Sequence, residues 1–328
     1  MKTYYFAWWN VENLFDTEDC PDRPDYLQSR LRRVLEGWTE AVLDQKLNQL
    51  AHIILKMNGS AGPDLIGLCE VESKAVIDKL IGKLRAAGRQ YTAAHHPGND
   101  NRGIDVAFIY DADLFTFEGL FHFEVLKRSA TRDLLQINLK TKPGNHPLLV
   151  IGNHWPSRRG GEYGSEPYRI MAAETLSYWM ERIFEIRTPN IPVIVMGDFN
   201  DEPFNRALTD YALSSNSLTR VRNARIPRLY NLMWPVLGAA DGTFYFNNFP
   251  VVLDQLLVSR GMLLANAPIR LSTFSDGSYA RVEKFPEMVS GGMYPDPIRF
   301  GRPASGVYNP QTGYSDHYPV AMMVEERG

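Results

Sequence analysis

Short apolar runs rich in β-branched and aromatic residues recur along the whole chain: Tyr4 to Trp9, Leu65 to Cys69, Ile104 to Tyr110, Leu134 to Leu139, Leu148 to Gly152, Pro192 to Met196, Leu253 to Val258 and Tyr318 to Val324. Each has the length and composition of a β-strand. Between some of them lie helical patterns. The clearest sets Leu43, Leu47, Leu50, Ile54 and Met57 on one stripe, a second covers about Lys74 to Ala87, and a third starts after Pro167 and turns Ile170, Ala173, Leu176, Met180 and Ile183 inward. Strands and helices alternate, but Leu134 to Gly152 reads as a hairpin, so the expected fold is α/β with mixed sheets.

The stretches 17–38 and 260–314 are rich in Pro, Gly and polar residues and are expected to be long surface loops. Residues that carry chemistry lie on both sides of each, so residues 1–328 are expected to form one domain with loop insertions. With 44% hydrophobic and 22% charged residues, the chain has material for a sizeable core, which excludes a disordered chain. No apolar run is long enough to span a bilayer. The first residues read as a strand rather than a leader, which favours the cytoplasm while leaving export open. Cys20 and Cys69 suggest neither a disulfide framework nor a zinc site, and no obligate protein partner is evident.

A net charge of -3 means that any polyanion binding must be local. The one conspicuous basic stretch is Arg220, Arg222, Arg225 and Arg228, with Tyr230 and Trp234 beyond it. It reads either as a solvated loop or as a substrate-facing loop whose arginines meet phosphates.

Polar residues suited to metal or phosphate cluster at the strand ends. Asn10 and Glu12 follow the first strand, Glu70 the second, Asn153 and His154 follow Leu148 to Gly152, and Asp198 and Asn200 follow Ile194 to Gly197. Asp254, and Asp316 with His317, stand instead at the starts of their strands. If those strands run antiparallel to the others, all these groups meet on one rim. The spacing Asp198-x-Asn200, repeated as Asn10-x-Glu12, places alternate side chains on one face of an extended segment. A carboxylate can orient or deprotonate water while a neighbouring amide donates to a phosphoryl oxygen. The candidate metal ligands Glu70, Glu12, Asn10 and Asp316 are all oxygen donors, so the expected ion is Mg2+, with Mn2+ a substitute. Asp254 is a candidate partner for His317. His154 offers a second imidazole, and Arg102 and Arg158 lie in segments whose guanidinium groups can grip phosphate.

The segments Trp9 to Phe15, Leu68 to Val71, Arg102 to Ala107, Gly197 to Asn200 and Ser315 to His317 resemble, in order, those of the endonuclease/exonuclease/phosphatase superfamily. Asn153 to Gly161, Leu253 to Gln255 and Gly313 to His317 are closest to its bacterial endonuclease-like branch. The resemblance implies a DNase I-like four-layered α/β sandwich, two mixed β-sheets face to face with helices outside, and a metal-dependent phosphoester hydrolase. It implies Asn10 and Glu70 as metal ligands with Glu12 and Asp316 close by. Asp198 would act on the attacking water and Asn200 on the scissile phosphate, with Asp254 and His317 as an Asp-His pair. His154 and Arg102 would contact phosphate. A phosphodiester in nucleic acid is the expected substrate, with phosphomonoesters, inositol phosphates and sphingomyelin as alternatives, and a non-catalytic binding protein on the same fold as the reading from another class.

Overall fold

The structure is a computed structural model that describes residues 1–238 and 241–327. In chain order the strands are β1 (Lys2–Leu14), β2 (Leu65–Val71), β3 (Tyr91–His95), β4 (Asp105–Asp111), β5 (Phe115–Phe123), β6 (Leu134–Thr141), β7 (Pro147–His154), β8 (Val193–Asp198), β9 (Ser214–Ser215), β10 (Leu229–Asn231), β11 (Phe244–Phe246), β12 (Phe249–Val251), β13 (Asp254–Ser259), β14 (Ile269–Ser272), β15 (Ala280–Val282) and β16 (Val320–Glu326). The α-helices are α1 (Asp25–Leu31), α2 (Glu40–Ser60), α3 (Lys74–Lys83), α4 (Glu162–Ile186) and α5 (Leu218–Arg222).

One sheet has the order β14-β16-β1-β2-β4-β3, with β15 also on β16, and the other β5-β6-β7-β8-β13-β10-β9. Within them β1 and β2 are parallel, as are β7 and β8, while β16 runs antiparallel to β1 and β13 antiparallel to β8. Both sheets are mixed. Side-chain alternation on β1 explains the layering. Phe6 and Trp8 point between the sheets, where they join Phe108, Val150, Met196, Leu256 and Met322 in a shared core. Tyr5, Ala7 and Trp9 point outward onto Leu43, Leu47 and Leu50 of α2. On the far side Ile151, Val193 and Val195 are covered by Ala173, Leu176 and Met180 of α4. With both faces buried, the strands read as continuous apolar runs, and each large buried side chain contributes roughly 1.5–3 kcal/mol. The sheets come close around Trp8. A Cβ on Gly67 would lie 2.5 Å from that indole, so glycine is required there.

Both long-loop expectations need correction. Residues 17–38 are not a plain surface loop. They contain α1, and Leu27, Leu31, Leu35 and Trp38 pack with Phe15, Ile104 and Phe300 in a small core of their own. Residues 260–314 likewise supply β14 and β15 to the first sheet and Phe300 to that small core. The expected third helix begins before Pro167, at Glu162, and the helix from Lys74 tightens into a 3-10 turn over Leu84–Ala87. No helix among the described residues is long and apolar enough to cross a membrane.

Candidate active site

Strand direction assembles the site. β1, β2, β7 and β8 end at one rim of the sandwich, and β13 and β16 begin there. Register aligns His154, Asp198 and Asp254 across three neighbouring strands of the second sheet. The first sheet delivers Asn10, Glu70, Asp316 and His317 to the same rim.

At that rim the backbone leaves ordinary strand geometry. Glu12 (φ 50°), Asn13 (φ 58°), Glu70 (φ 66°) and Asn200 (φ 50°) all adopt left-handed conformations. For residues with a Cβ this costs on the order of 1 kcal/mol or more each, and it re-aims side chains at functional rims. The expectation that Asn10 and Glu12 share a strand face therefore fails: the β1–β2 register shifts between Asn10 and Leu14. Glu12 turns to the 299–301 segment, accepting hydrogen bonds from Arg299 Nε at 2.9 Å and from the backbone N–H of Phe300 at 3.0 Å and Gly301 at 3.3 Å. Arg299 also reaches Asp316 at 3.3 Å.

Asp198 is buried and held on both oxygens. Its Oδ2 accepts from Asn10 Nδ2 at 3.1 Å and its Oδ1 from the Asn200 N–H at 2.9 Å. Burial, with Asp254 nearby, pushes its carboxyl up to about 7 although His317 works against the rise. Asn200 Nδ2 donates to the Trp155 carbonyl at 3.0 Å. Asn10 Oδ1 accepts from the Glu12 N–H at 3.0 Å, and Glu70 Oε2 from the Asn13 N–H at 2.9 Å. Facing Glu70 Oε1 are His154 Nε2 at 3.9 Å and Arg102 Nη1 at 4.0 Å.

His317 lies across the sheets from Asp254, with Nδ1 2.6 Å from Oδ2. Burial opposes charge on this ring, but Asp254, by charge and hydrogen bond, then Asp198 and Asp316, more than offset it and raise the imidazole to about 10. Asp254 is itself fixed by Trp8 Nε1 at 3.2 Å, and Thr243 Oγ1 accepts from its N–H at 3.0 Å. His317 Nε2 sits 4.0 Å from Asp198 Oδ2, and His154 Nε2 sits 3.8 Å from the same oxygen. These separations exceed hydrogen-bond range and suit an intervening oxygen. Burial, then Arg132, Arg102 and His317, drive His154 well below the usual histidine range, so its imidazole is neutral.

Arg102 is half exposed beside Glu70, as a phosphate grip requires. Arg158 is engaged elsewhere: it donates to the Asn200 carbonyl at 2.9 Å and to Asn205 Oδ1 at 3.1 Å, which braces the loop after β8. The Arg220 to Arg228 stretch does not overhang the site. It spans α5 and the approach to β10, whose Leu229 pairs with Ser259 at the end of β13 opposite Asp254. Several positioning residues escaped the sequence reading. Arg132 is buried and ties Asp100 to the Trp155 carbonyl at 2.7 Å. Ser315 donates to the Asn10 carbonyl at 2.6 Å and accepts from the His317 N–H at 3.2 Å. Ser315 opens the segment Ser315 to His317 but was given no role of its own, whereas nothing around Arg132 distinguishes it from a surface arginine.

The family model described as Endonuclease/Exonuclease/phosphatase family matches residues 5–326. The chain belongs to that family. Family membership makes phosphoester hydrolysis its class of reaction. The chain resembles the solved endonuclease/exonuclease/phosphatase family protein of Bacteroides thetaiotaomicron at 15% identity and TM-score 0.57, over 98% of this chain and 97% of that one. The mannosyl-6-phosphatase of the same species gives 16% identity and TM-score 0.56, over 99% of this chain and 100% of the other. The human Nocturnin catalytic domain with bound sulfate gives 15% and 0.54, over 99% and 95%. At these identities the likeness establishes the DNase I-like fold. None of the curated proteins matches the sequence.

Proposed function

We propose that the protein is a divalent-metal-dependent phosphodiesterase acting on nucleic acid, with water attacking phosphorus in line with the leaving oxygen. The observation that carries this reading is the buried line Asp254, His317, Asp198, which holds an imidazole on one carboxylate and sets it opposite a second. Asp198, fixed by Asn10 and Asn200, accepts a proton from the attacking water. His317, kept charged by Asp254, donates from Nε2 to a phosphoryl oxygen as negative charge builds. Neutral His154 and Arg102 bind the remaining oxygens from the opposite side, and Asn200 orients the phosphate.

The donor set fits a hard cation. Glu70 Oε1 and the second lone pair of Asn10 Oδ1 are oxygens on adjacent strands, with Asp198 across the rim. Mg2+ is the expected ion and Mn2+ a substitute. When bound, such an ion supplies Lewis-acid neutralisation of phosphoryl charge. Glu12 serves as the anchor of the 299–301 segment, and Asp316, held by Arg299, stands beside the ligands.

A second reading is a phosphomonoesterase or a phosphodiesterase for inositol phosphates or sphingomyelin. The position of the Arg220 to Arg228 stretch at the far end of the second sheet favours it, since that stretch then offers no basic track beside the site. Turnover of DNA, RNA, inositol phosphates, sphingomyelin and a simple phosphomonoester, measured with Mg2+, Mn2+ and chelator, separates the two. His317→Ala and Asp198→Asn are each expected to lower turnover by roughly 10²–10⁴ on the preferred substrate without loss of fold. Near-normal turnover in both purified variants would sink the assignment.

A further inference from the structure

Outside the rim, a second group of metal-ligating side chains lies where the lateral edges of the two sheets meet. His96 directly follows β3, the edge strand of the first sheet. His122 is on β5, the edge strand of the second, and Asp133 directly precedes β6. The two imidazoles stack with centroids 3.7 Å apart and planes at 17°. His122 Nδ1 is 3.1 Å from Asp133 Oδ2. One ligand atom from each of the three residues lies within 4.8 Å of the others.

The Asp133 carboxylate is the informative member. Its side chain is only 9% exposed, yet Oδ1 finds no hydrogen-bond partner among the described residues. A buried carboxylate oxygen left so costs about 1–3 kcal/mol unless something compensates it. The three side chains, with Gly98 and Asp105, line a cavity of about 10 Å3, room for one water-sized sphere.

We propose that His96, His122 and Asp133 form a second metal site, which takes a borderline divalent ion of the Zn2+ class with water completing the shell. Two imidazoles and one carboxylate suit Zn2+, Co2+ or Ni2+ and not Mg2+, so the site is chemically distinct from the oxygen donors at the catalytic rim. Bonds of about 2.0–2.2 Å in tetrahedral geometry place ligand atoms roughly 3.3–3.5 Å apart. Because the two rings lie in nearly parallel planes, binding requires the half-exposed His122 ring to swing out of the stack until its lone pair and that of His96 converge on the ion. The ion replaces the proton between His122 Nδ1 and Asp133 Oδ2, and its charge offsets the cost of burying the unpartnered Oδ1 of the same carboxylate. Because its ligands come from both sheets, it clamps them together, one residue from the Arg132 that braces the catalytic rim.

This site does not depend on the proposed activity, and its test is independent of turnover. Untagged protein is titrated with Co2+ in excess Mg2+, which occupies the oxygen-donor site, and visible d–d absorption is followed. One saturating equivalent is expected. His96→Ala and His122→Ala should each weaken binding by at least about tenfold, the lower end of the loss seen even for outer-shell partners. Asp133→Asn should weaken it similarly, and Glu70→Gln, which alters the catalytic rim, should leave it unchanged. Zn2+ should raise the melting temperature of Glu70→Gln but not of His122→Ala. Absence of a saturable spectrum, or binding that survives in both histidine variants and disappears with Glu70→Gln, overturns the proposal.

Discussion

Replacing Asp254 by Asn keeps the side chain's shape and removes its charge. In the native protein Asp254 Oδ2 lies 2.6 Å from His317 Nδ1, and the imidazole stands at about 10 against an ordinary 6.5. The difference of about 3.5 pH units corresponds to a ceiling on the order of 5 kcal/mol, at about 1.36 kcal/mol per unit. Without Asp254, burial is opposed only by Asp198 and Asp316, and the ring falls back toward its ordinary 6.5. At about pH 8 a ring back at its ordinary 6.5 is charged to roughly 0.03, against roughly 0.99 for one at about 10. Since the folded value lies above the unfolded one, the stability lent by charged His317 is complete below pH 6.5 and is lost as pH rises through about 10. The assay is kcat and kcat/KM on a chromogenic phosphodiester with saturating Mg2+, from about pH 6 to about pH 10. Turnover at pH 8 should fall by roughly 30-fold, the ratio of those charged fractions, with the alkaline limb displaced toward acid. A variant profile that overlays the native one would refute the argument that Asp254 maintains the imidazolium.

Glu12→Gln should free Arg299 and weaken the anchoring of residues 299–301, lowering stability by about 1–3 kcal/mol in urea denaturation and speeding proteolysis in that segment. Asp201→Ala leaves the fully buried Arg169 guanidinium, now 2.8 Å from Asp201, without a carboxylate, and should cost about 3–5 kcal/mol by the same measurement. Reversing charge at the exposed Arg222 and Arg225 together should leave turnover of a small phosphodiester within about twofold of native, because exposed changes far from the site act mainly through screened charge. A large loss there would reopen a substrate role for that stretch.

The sandwich was legible because its strands are buried on both faces and so appear as uninterrupted apolar runs, as in Ile104 to Tyr110 or Leu148 to Gly152. Strands with an exposed face were missed. β5 shows Thr116, Phe117 and Glu118 to solvent and carries no continuous apolar signal. The small core beneath α1 was missed because Leu27 and Leu31 make only one helical repeat, and their partner Phe300 is far away in sequence. The convergence of strand ends was inferable once Asp254 and His317 were seen to stand at starts rather than ends of strands. The aim of Glu12 was not, because two-residue alternation presumes regular backbone and β1 bulges after Asn10.

The cross-sheet pairing of Asn10 with Asp198 and of His317 with Asp254 also bears on how the protein reaches its working state. Neither sheet contains a sufficient set of groups by itself, so a chain with one sheet formed and the other undocked has native-like secondary structure and no chemistry. During refolding, recovery of turnover should therefore lag far-UV circular dichroism and coincide with burial of Trp8, whose indole lies between the sheets and touches Asp254. Catalysis in this protein is a direct reading of whether its two halves have closed.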